Sequence, residues 1–156
     1  MIKLIVAMDE DNLIGSDSAN GLPWKNAEDL KHFKETTLNQ AVVFGGSTYR
    51  AMGRLLKNRH NIIISRTIKQ IEGARIVDSL ETVIKEYQQN NEDLYICGGA
   101  SIYQQALPFV DELLISRIPG HHEGNVWFPD FSSNHFVLKE IKPYETFKLE
   151  IYSKGQ

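Results

Sequence analysis

The chain has 156 residues, of which 42% are hydrophobic and 24% are charged, and its formal net charge is −3 at pH 7. This length is typical of one domain, so we expect a single domain over residues 1–156. The small negative charge and the lack of a lysine or arginine block argue against nucleic acid or an anionic membrane as the main partner. Small-molecule ligands remain open.

Three features of the sequence bear on the cellular setting. Cys97 is the only cysteine, which excludes an internal disulfide. No apolar run has the length needed to span a bilayer. The chain also begins with a strand-like run at residues 2–6 instead of a signal peptide. We therefore expect a protein of the reducing cytoplasm.

Short runs rich in Val, Ile, Leu and aromatic residues predict strands that are buried on both faces. They are residues 2–8, 41–45, 60–65 and 93–97. Helical patterns separate them. The alternation predicts β-α-β crossovers, and hence an α/β fold with a mainly parallel twisted sheet and helices on both of its faces.

We expect four helices between these strands. The first follows the capping residue Asn26, and the third follows the capping residue Ser79. Two more begin near Ser47 and near Ser101, and the last should end before Pro108. The predicted apolar faces contain Leu30, Phe33 and Thr37 in the first helix, and Leu80, Val83, Ile84 and Tyr87 in the third.

The carboxyl-terminal part of the sequence has a different pattern. Apolar and polar residues alternate on both sides of a turn that contains Pro143, which predicts an antiparallel hairpin at the edge of the sheet. The alternating apolar residues are Phe136, Leu138, Phe147, Leu149 and Ile151. Near the amino end, residues 9–26 form a connection long enough to predict either a functional loop or a disordered one.

Two segments, residues 42–48 and 94–101, repeat one pattern of a strand, a Gly-Gly pair and a helix start. Glycine allows a ligand to approach the backbone, and free amides at a helix start attract phosphate. Two such turns suit a dinucleotide, although tight packing alone also explains a Gly-Gly pair. No GxGxxG or P-loop signature is present, so a nucleotide site here would differ from the standard Rossmann site.

Asp29 is the strongest candidate for proton chemistry. It follows Asn26 by three residues and shares a helical face with Phe33 and Thr37. Desolvation among apolar neighbours raises the pKa of a carboxyl, which suits a group that transfers protons near neutral pH. The alternative is an acid that only stabilises the helix dipole, and we expect Glu28 to be of that kind.

Other polar groups are weaker candidates. Residues His121, His122 and Glu123 could bind a metal, but adjacent side chains diverge, so we expect a solvated loop and no metal site. Cys97 follows a buried strand and is expected to be a small core residue.

Further motifs follow one another along the whole chain. They are Leu4–Ala7, Leu13–Gly15, Gly21-Leu22-Pro23-Trp24, Asp29–Phe33, Gly45–Tyr49, Arg59–Arg66, Ile96–Tyr103, Ile115–Ile118 and Trp127–Asp130. In this order and spacing they resemble the dihydrofolate reductase family. The resemblance implies an oxidoreductase that transfers a hydride from NADPH to 7,8-dihydrofolate, giving tetrahydrofolate for one-carbon metabolism. It also implies that antifolate inhibitors bind, and we expect a monomer.

On the substrate side, the resemblance implies that Asp29 contacts the pterin and promotes protonation at N5, with the hydroxyl of Ser116 supporting its carboxylate. Leu22 and Trp24 belong to the same implied catalytic group. Arg59 would bind the α-carboxylate of the glutamate tail, where a planar guanidinium suits bidentate contact. The remaining implied substrate contacts are Ile5, Val6, Ala7, Leu30, Phe33, Met52, Arg54, Leu56 and Cys97, with Ile5, Val6 and Cys97 at the pocket floor.

On the cofactor side, the resemblance implies that Ala7 and Ile14 lie near the nicotinamide and that Gly98-Gly99 is a cis peptide. The remaining implied NADPH contacts are Leu13, Gly15, Gly21, Leu22, Gly46, Ser47, Thr48, Ser65, Arg66, Cys97, Gly98, Gly99, Ala100, Ser101, Ile102 and Tyr103. Two positions depart from the family pattern. Gly46 replaces a frequent cation near the 2′-phosphate, which makes Arg66 the main candidate there. Asn125 replaces an aspartate that steadies the mobile loop in some members.

Two other functions remain open. A related NADPH-dependent pyrimidine reductase of riboflavin synthesis shares the fold but not the spacing from Trp24 to Asp29. A nucleotide-binding sensor would need the glycine turns but not Asp29. Because one fold hosts several functions, fold alone does not decide between them.

Overall fold

The computed structural model describes residues 1–15 and 23–155. Its strands are β1 (Ile2–Met8), β2 (Leu13–Gly15), β3 (Ala41–Gly45), β4 (His60–Ile64), β5 (Ala74–Val77), β6 (Leu94–Ile96), β7 (Glu112–Arg117), β8 (Val126–Trp127), β9 (Phe136–Pro143) and β10 (Lys148–Lys154). Its α-helices are α1 (Ala27–Thr37), α2 (Gly46–Met52), α3 (Leu80–Gln89) and α4 (Ala100–Ala106), and short 3₁₀ turns cover Leu107–Phe109 and Ser132–Asn134.

The main sheet has the strand order β5-β4-β3-β6-β1-β7-β10-β9. The pairs from β5 through β7 are parallel, whereas β10 is antiparallel to both β7 and β9. The predicted mainly parallel sheet and its carboxyl-terminal hairpin at the edge are therefore confirmed. A separate antiparallel pair joins β8 to β2, which lies within the connection predicted at residues 9–26.

Both sheet faces carry an apolar cluster, and β1 contributes to each because its side chains alternate. Leu4 and Val6 pack into the cluster that contains the buried face of α3. Ile5 packs into the opposite cluster, against which Ala7 and the α1 residue Phe33 are also packed. Helices thus cover both faces, as the alternating pattern predicted.

The predicted helix caps have the expected geometry. The side chain of Asn26 accepts a hydrogen bond from the Asp29 amide at 2.9 Å, and Ser79 accepts one from the Thr82 amide at 3.4 Å. Helix α4 ends at Ala106, and Pro108 lies in the 3₁₀ turn that follows. The expected apolar face of α1 needs one correction, because Leu30 is 52% exposed while Phe33 is partly buried and Thr37 is buried. Asp29 instead of Leu30 faces inward.

Two strands of the main sheet, β5 and β7, were not predicted. The β5 sequence Ala-Arg-Ile-Val is short and contains an arginine, so its apolar signal is weak. It nevertheless pairs with β4 over the registers Asn61–Ala74 to Ile64–Val77. Hydrogen bonding to β4 therefore stabilises this strand, which its own sequence only weakly favours. Its carboxyl end borders the site described next.

Candidate active site

The two Gly-Gly turns lie side by side because β3 and β6 are neighbouring parallel strands. The Gly45 amide donates to the Gly98 carbonyl at 2.9 Å, and the Cys97 amide donates to the Val43 carbonyl at 2.9 Å. The peptide between Gly98 and Gly99 is cis, as the resemblance implied. The pattern that repeated in the sequence therefore forms one continuous wall.

Beside this wall lies a cleft of about 400 Å³. Its lining includes the two glycine turns, the starts of α2 and α4, and the end of β4. Nine of the predicted cofactor residues meet there, namely Gly46, Ser47, Thr48, Ser65, Arg66, Gly99, Ala100, Ser101 and Ile102. Hydroxyl groups and one guanidinium thus converge on a space suited to an anionic ligand.

Asp78 also lines this cleft, and the sequence did not single it out. It directly follows β5, so its position depends on a strand whose sequence signal was weak. Because parallel strands end at the same edge of a sheet, the end of β5 brings Asp78 near Ser65 and Arg66 at the end of β4. The cleft therefore contains an acid as well as the expected cation.

The backbone at Gly46 leaves little room for a side chain. A Cβ atom there would lie 3.2 Å from Ser65 Oγ and 3.3 Å from Ile68 Cδ1. Ser65 Oγ is itself held in place, since it accepts hydrogen bonds from the amides of Thr67 and Ile68 at 3.2 and 3.0 Å. The neighbouring turn at residues 65–68 thus packs closely against Gly46.

Asp29 lies in the first turn of α1 and is 7% exposed. Burial raises the pKa of its carboxyl, while the hydrogen bond from Ser116 and the charge of His32 partly oppose that rise. Glu28, one residue earlier, is different: its carboxylate accepts hydrogen bonds from the Thr146 amide and hydroxyl at 2.9 and 2.7 Å, which lowers its pKa. Of the two acids, Asp29 has the environment of a proton-handling group. Glu28 also does more than stabilise the helix dipole, because it holds the turn between β9 and β10.

Strand β1 links Asp29 to the glycine turns. Ser116 on β7 pairs with Ala7 on β1, and β1 pairs on its other side with β6. The hydroxyl of Tyr103, a predicted cofactor residue, donates to the Ile5 carbonyl at 2.9 Å. A Cβ at Gly98 would lie 3.2 Å from the same hydroxyl. The acid, the middle of the sheet and the cleft beside the glycine turns are thus connected through adjacent strands.

The predicted pterin pocket is only partly as expected. Ile5, Ala7, Phe33, Leu56 and Cys97 belong to or pack against the apolar cluster on the α1 side of the sheet. Val6 does not, because strand pleating directs its side chain into the opposite cluster, so only its backbone can border the pocket. Among the predicted outer contacts, Leu30, Met52 and Arg54 are exposed. Asn61, which sequence reasoning missed, holds Leu56 through hydrogen bonds of 3.0 and 2.8 Å.

The Arg59 guanidinium is held by the chain around it. Its Nε donates to Thr37 Oγ1 at 3.1 Å, one terminal nitrogen donates to the Lys57 carbonyl at 2.6 Å, and the other donates to the Lys34 carbonyl. A guanidinium has five N–H groups, so these three bonds fix its plane and leave two for a further acceptor. This geometry suits capture of a carboxylate.

Trp24 packs into the same apolar cluster as Ile5. Its indole Nε1 is buried and has no hydrogen-bond partner among the described residues. An unpaired buried donor is costly, which is characteristic of functional sites. Leu13 is buried, Ile14 packs against the cluster on the other face, and Gly15 accepts a hydrogen bond from the Asn125 amide at 3.2 Å. The predicted contacts Gly21 and Leu22 lie outside the described residues.

Two weaker candidates have defined roles. Burial raises the pKa of the Cys97 thiol to about 12, so it stays protonated and is not a nucleophile. Residues 121–123 form a loop in which His121 and Glu123 are exposed, as expected, whereas His122 is partly buried and packs against the Trp24 ring. No cluster of potential metal ligands occurs in residues 1–15 and 23–155. In these same ranges no helix is both long enough and apolar enough to cross a membrane.

Comparison with known proteins agrees with this geometry. A family model described as dihydrofolate reductase matches residues 1–152. The dihydrofolate reductase of Mycoplasma genitalium is 35% identical and is aligned over 100% of this chain and 99% of its own. That of Bacillus subtilis is 35% identical, with 99% of this chain and 95% of its own covered.

A solved structure provides an independent comparison. It is the dihydrofolate reductase from Enterococcus faecalis, complexed with NADP(H) and RAB-propyl. Its TM-score to this chain is 0.91 at 28% identity, and the superposition covers 100% of this chain and 97% of that one. Sequence similarity along almost the entire chain and agreement of the fold lead to the same conclusion: the chain belongs to the dihydrofolate reductase family.

Proposed function

We propose that the cleft beyond the carboxyl ends of β1, β3 and β6 binds NADPH and 7,8-dihydrofolate next to each other, so that the protein forms tetrahydrofolate. The observation that carries this proposal is Asp29, a buried carboxyl with a raised pKa that is hydrogen-bonded by Ser116. Only β1 separates the strand of Ser116 from the strand that leads into Gly98. Proton chemistry and the proposed cofactor wall are therefore neighbours.

Reduction of the pterin C6=N5 bond needs a hydride at C6 and a proton at N5. NADPH, when bound, supplies the hydride from nicotinamide C4. Asp29 accepts hydrogen bonds from the pterin amino group and ring nitrogen and promotes protonation at N5. The hydroxyl of Ser116 orients the carboxyl, while the cluster around Ile5 and Trp24 excludes water. The protein thus contributes orientation, a dry pocket and one tuned acid.

For the substrate, Ile5, Ala7, Phe33 and Cys97 would form the inner surface, with Val6 contributing its backbone. The outer proposed contacts are Leu30, Met52, Arg54 and Leu56, and Leu22 is proposed to act with Trp24 beside the reacting ring. Arg59 would bind the glutamate α-carboxylate, which is supported by the fixed plane of its guanidinium. Antifolate inhibitors would occupy the same pocket.

For NADPH, the cleft of about 400 Å³ is proposed to hold the phosphates and the adenosine ribose. Ser47, Thr48 and the turn at residues 98–103 would bind the bridging phosphates, and Arg66 with Ser65 would bind the 2′-phosphate. The hydroxyls and the guanidinium of the lining fit an anionic cofactor of this kind. Ala7, Ile14, Gly15 and Gly21 are proposed around the nicotinamide half.

We also infer that the protein acts as one domain and as a monomer in the cytoplasm. Apolar clusters on both faces of one continuous sheet support a single unit of folding. Size-exclusion chromatography with light scattering would measure the oligomeric state directly, and a dimer would contradict this part of the proposal.

The proposed reaction is tested by mixing the purified protein with NADPH and dihydrofolate and following the loss of reduced-nicotinamide absorbance. Oxidation that depends on dihydrofolate is the expected result. The pyrimidine substrate of riboflavin synthesis serves as the competing substrate, and turnover of that compound alone would favour the related reductase. Tight NADPH binding with no turnover of either compound across neutral pH would favour a sensor.

A further inference from the structure

The turn between β1 and β2 contains three consecutive acids, Asp9, Glu10 and Asp11. Asp9 is fully buried, and its carboxylate accepts hydrogen bonds from the amides of Asp11 at 2.8 Å, Leu13 at 2.9 Å and His122 at 2.9 Å. Burial by itself would raise the pKa of Asp9, but these backbone bonds outweigh it and the pKa is lowered. Asp9 is therefore an ionised residue that joins its own turn to the segment after β7.

We call residues 119–124, which follow β7, the histidine segment. Besides the hydrogen bond that the His122 amide donates to Asp9, the Glu10 amide donates one to the Gly120 carbonyl at 3.2 Å. The His121 imidazole lies between two acids, with Nδ1 at 2.5 Å from Asp11 and Nε2 at 3.5 Å from Glu10. The histidine segment is thus attached to the β1–β2 turn mainly by two hydrogen bonds, one to the buried Asp9 carboxylate and one between backbone groups. The exposed contacts of His121 with Glu10 and Asp11 add to these.

The orientation of His122 is determined from two sides. Asp9 binds its amide, and its ring nitrogen Nε2 lies 3.0 Å from the Pro119 carbonyl. A carbonyl only accepts, so Nε2 carries the hydrogen and donates it. With both ends held, the ring packs against the Trp24 ring at a centroid distance of 5.2 Å and an angle of 60° between planes.

Trp24 needs such support. It lies in the segment that leads into α1, five residues before Asp29, and its indole nitrogen has no hydrogen-bond partner within the described part of the chain. Among the described residues, packing contacts are therefore what determine the depth and tilt of the indole. The described aromatic contact to Trp24 comes from His122, and Asp9 holds His122 from a position 113 residues away in the sequence.

We propose that His122 is a positioning residue for the reductase reaction: anchored by Asp9, it holds the Trp24 indole in place beside the reacting ring. This role rests on the proposed function of Trp24 and Asp29. Ring packing is the property that matters, so an aromatic replacement should preserve the role and a small residue should abolish it. Misplacement of about 1 Å near a reacting centre lowers turnover by up to roughly hundredfold.

The test uses Trp127→Phe as background, because Trp127 is the only other tryptophan and is exposed, so that emission then reports Trp24 alone. In this background, His122→Ala should lower kcat roughly tenfold to hundredfold, leave the KM for NADPH within about twofold, and shift Trp24 emission to longer wavelength. His122→Phe should restore both kcat and emission to near the background values.

His121→Ala is the matched control, since it removes the adjacent imidazole, which makes only exposed contacts. It should change kcat and Trp24 emission little, because exposed ion pairs contribute little. Unchanged kcat and emission in His122→Ala would overturn the proposal, and so would equal losses in His122→Ala and His122→Phe. If the unmutated protein proves inactive, the proposed function fails, but the emission of the His122 variants still decides whether this residue positions Trp24.

Discussion

Replacing Asp29 by asparagine tests the proposed proton chemistry most directly. Asparagine has nearly the same shape and can still accept a hydrogen bond from Ser116, but it cannot ionise. In the wild-type protein, burial raises the pKa of Asp29, so its protonated form persists to higher pH than that of an exposed aspartate. The variant must instead obtain its proton from solvent. Its rate should fall continuously as the pH rises.

The expected size of the effect follows from the burial of Asp29 and from its role. A positioned proton-transfer group contributes about 10²- to 10⁴-fold, which corresponds to about 2.7 to 5.4 kcal/mol of activation free energy. We expect a loss of this order in kcat at neutral pH. At acidic pH, solvent protonates the substrate more readily, so the ratio of wild-type to variant rates should become smaller.

The assay follows reduced-nicotinamide absorbance at saturating NADPH and dihydrofolate from about pH 5 to pH 9. Glu28→Gln is the matched control, because it removes the neighbouring carboxylate of the same helical turn, where Glu28 binds Thr146. It should lower stability without changing the form of the pH profile. If Asp29→Asn gives a profile parallel to wild type at nearly equal rate, Asp29 is only a helix-dipole residue and the reasoning is refuted.

The same variant has a consequence for stability. Because the folded-state pKa of Asp29 is raised, the folded protein binds this proton more tightly than the unfolded chain does. Stability due to this group is complete below the unfolded pKa and decreases as pH rises through the folded pKa. Asp29→Asn should therefore be more stable than wild type at neutral pH, and the difference should disappear in acid. Urea denaturation at both pH values measures this, and a destabilised variant at neutral pH would contradict it.

Three further predictions concern binding and stability. Arg59→Leu should raise the KM for dihydrofolate roughly ten- to hundredfold, since a charged hydrogen bond contributes about 1.5 to 3 kcal/mol. For an analogue without the α-carboxylate, wild type and variant should differ little. Equal losses with both compounds would mean that Arg59 is structural. Arg66→Ala should weaken NADP⁺ binding by the same roughly ten- to hundredfold factor and leave NAD⁺ binding almost unchanged, as measured by calorimetric titration. Asp78→Asn should strengthen NADP⁺ binding, because Asp78 lines the same cleft as Arg66. An unaltered NADP⁺ preference in Arg66→Ala would mean that another group binds the 2′-phosphate. The hydrogen bond to Asp11 raises the pKa of His121. His121→Ala should therefore lower the stability of the protein below the unfolded pKa of histidine and leave it unchanged once the pH exceeds the folded pKa. Denaturation curves of wild type and variant that differ equally at low and at high pH would refute this.

Parts of the fold that depend on local periodicity could be predicted from the sequence. The caps Asn26 and Ser79, and the buried face of α3 that includes Val83 and Tyr87, are determined by residues within one or two helical turns. The two Gly-Gly turns and the alternation of strands and helices are local in the same sense. Their mutual contact, from Gly45 to Gly98, follows once the strands are parallel neighbours.

Other features were not predictable because their cause lies far away along the chain. Strand β5 is stabilised by pairing with β4, and Asp78 reaches the proposed cofactor cleft only through that pairing. The pleat of β1, fixed by its neighbours β6 and β7, decides that Ile5 and not Val6 faces the proposed substrate pocket.

The candidate site likewise contains residues that local sequence could identify and contacts that it could not. Asp29 could be identified from its spacing after Asn26 and from the family motif, because both lie within a few residues. Its hydrogen-bond partner Ser116 comes from β7, a strand that the sequence did not predict. The contact from Asp9 through His122 to Trp24 had no sequence signal, because the three residues lie in separate segments that no local pattern connects. Hydrogen bonds between residues 113 positions apart form only when the whole sheet is assembled, so the tertiary structure alone decides them.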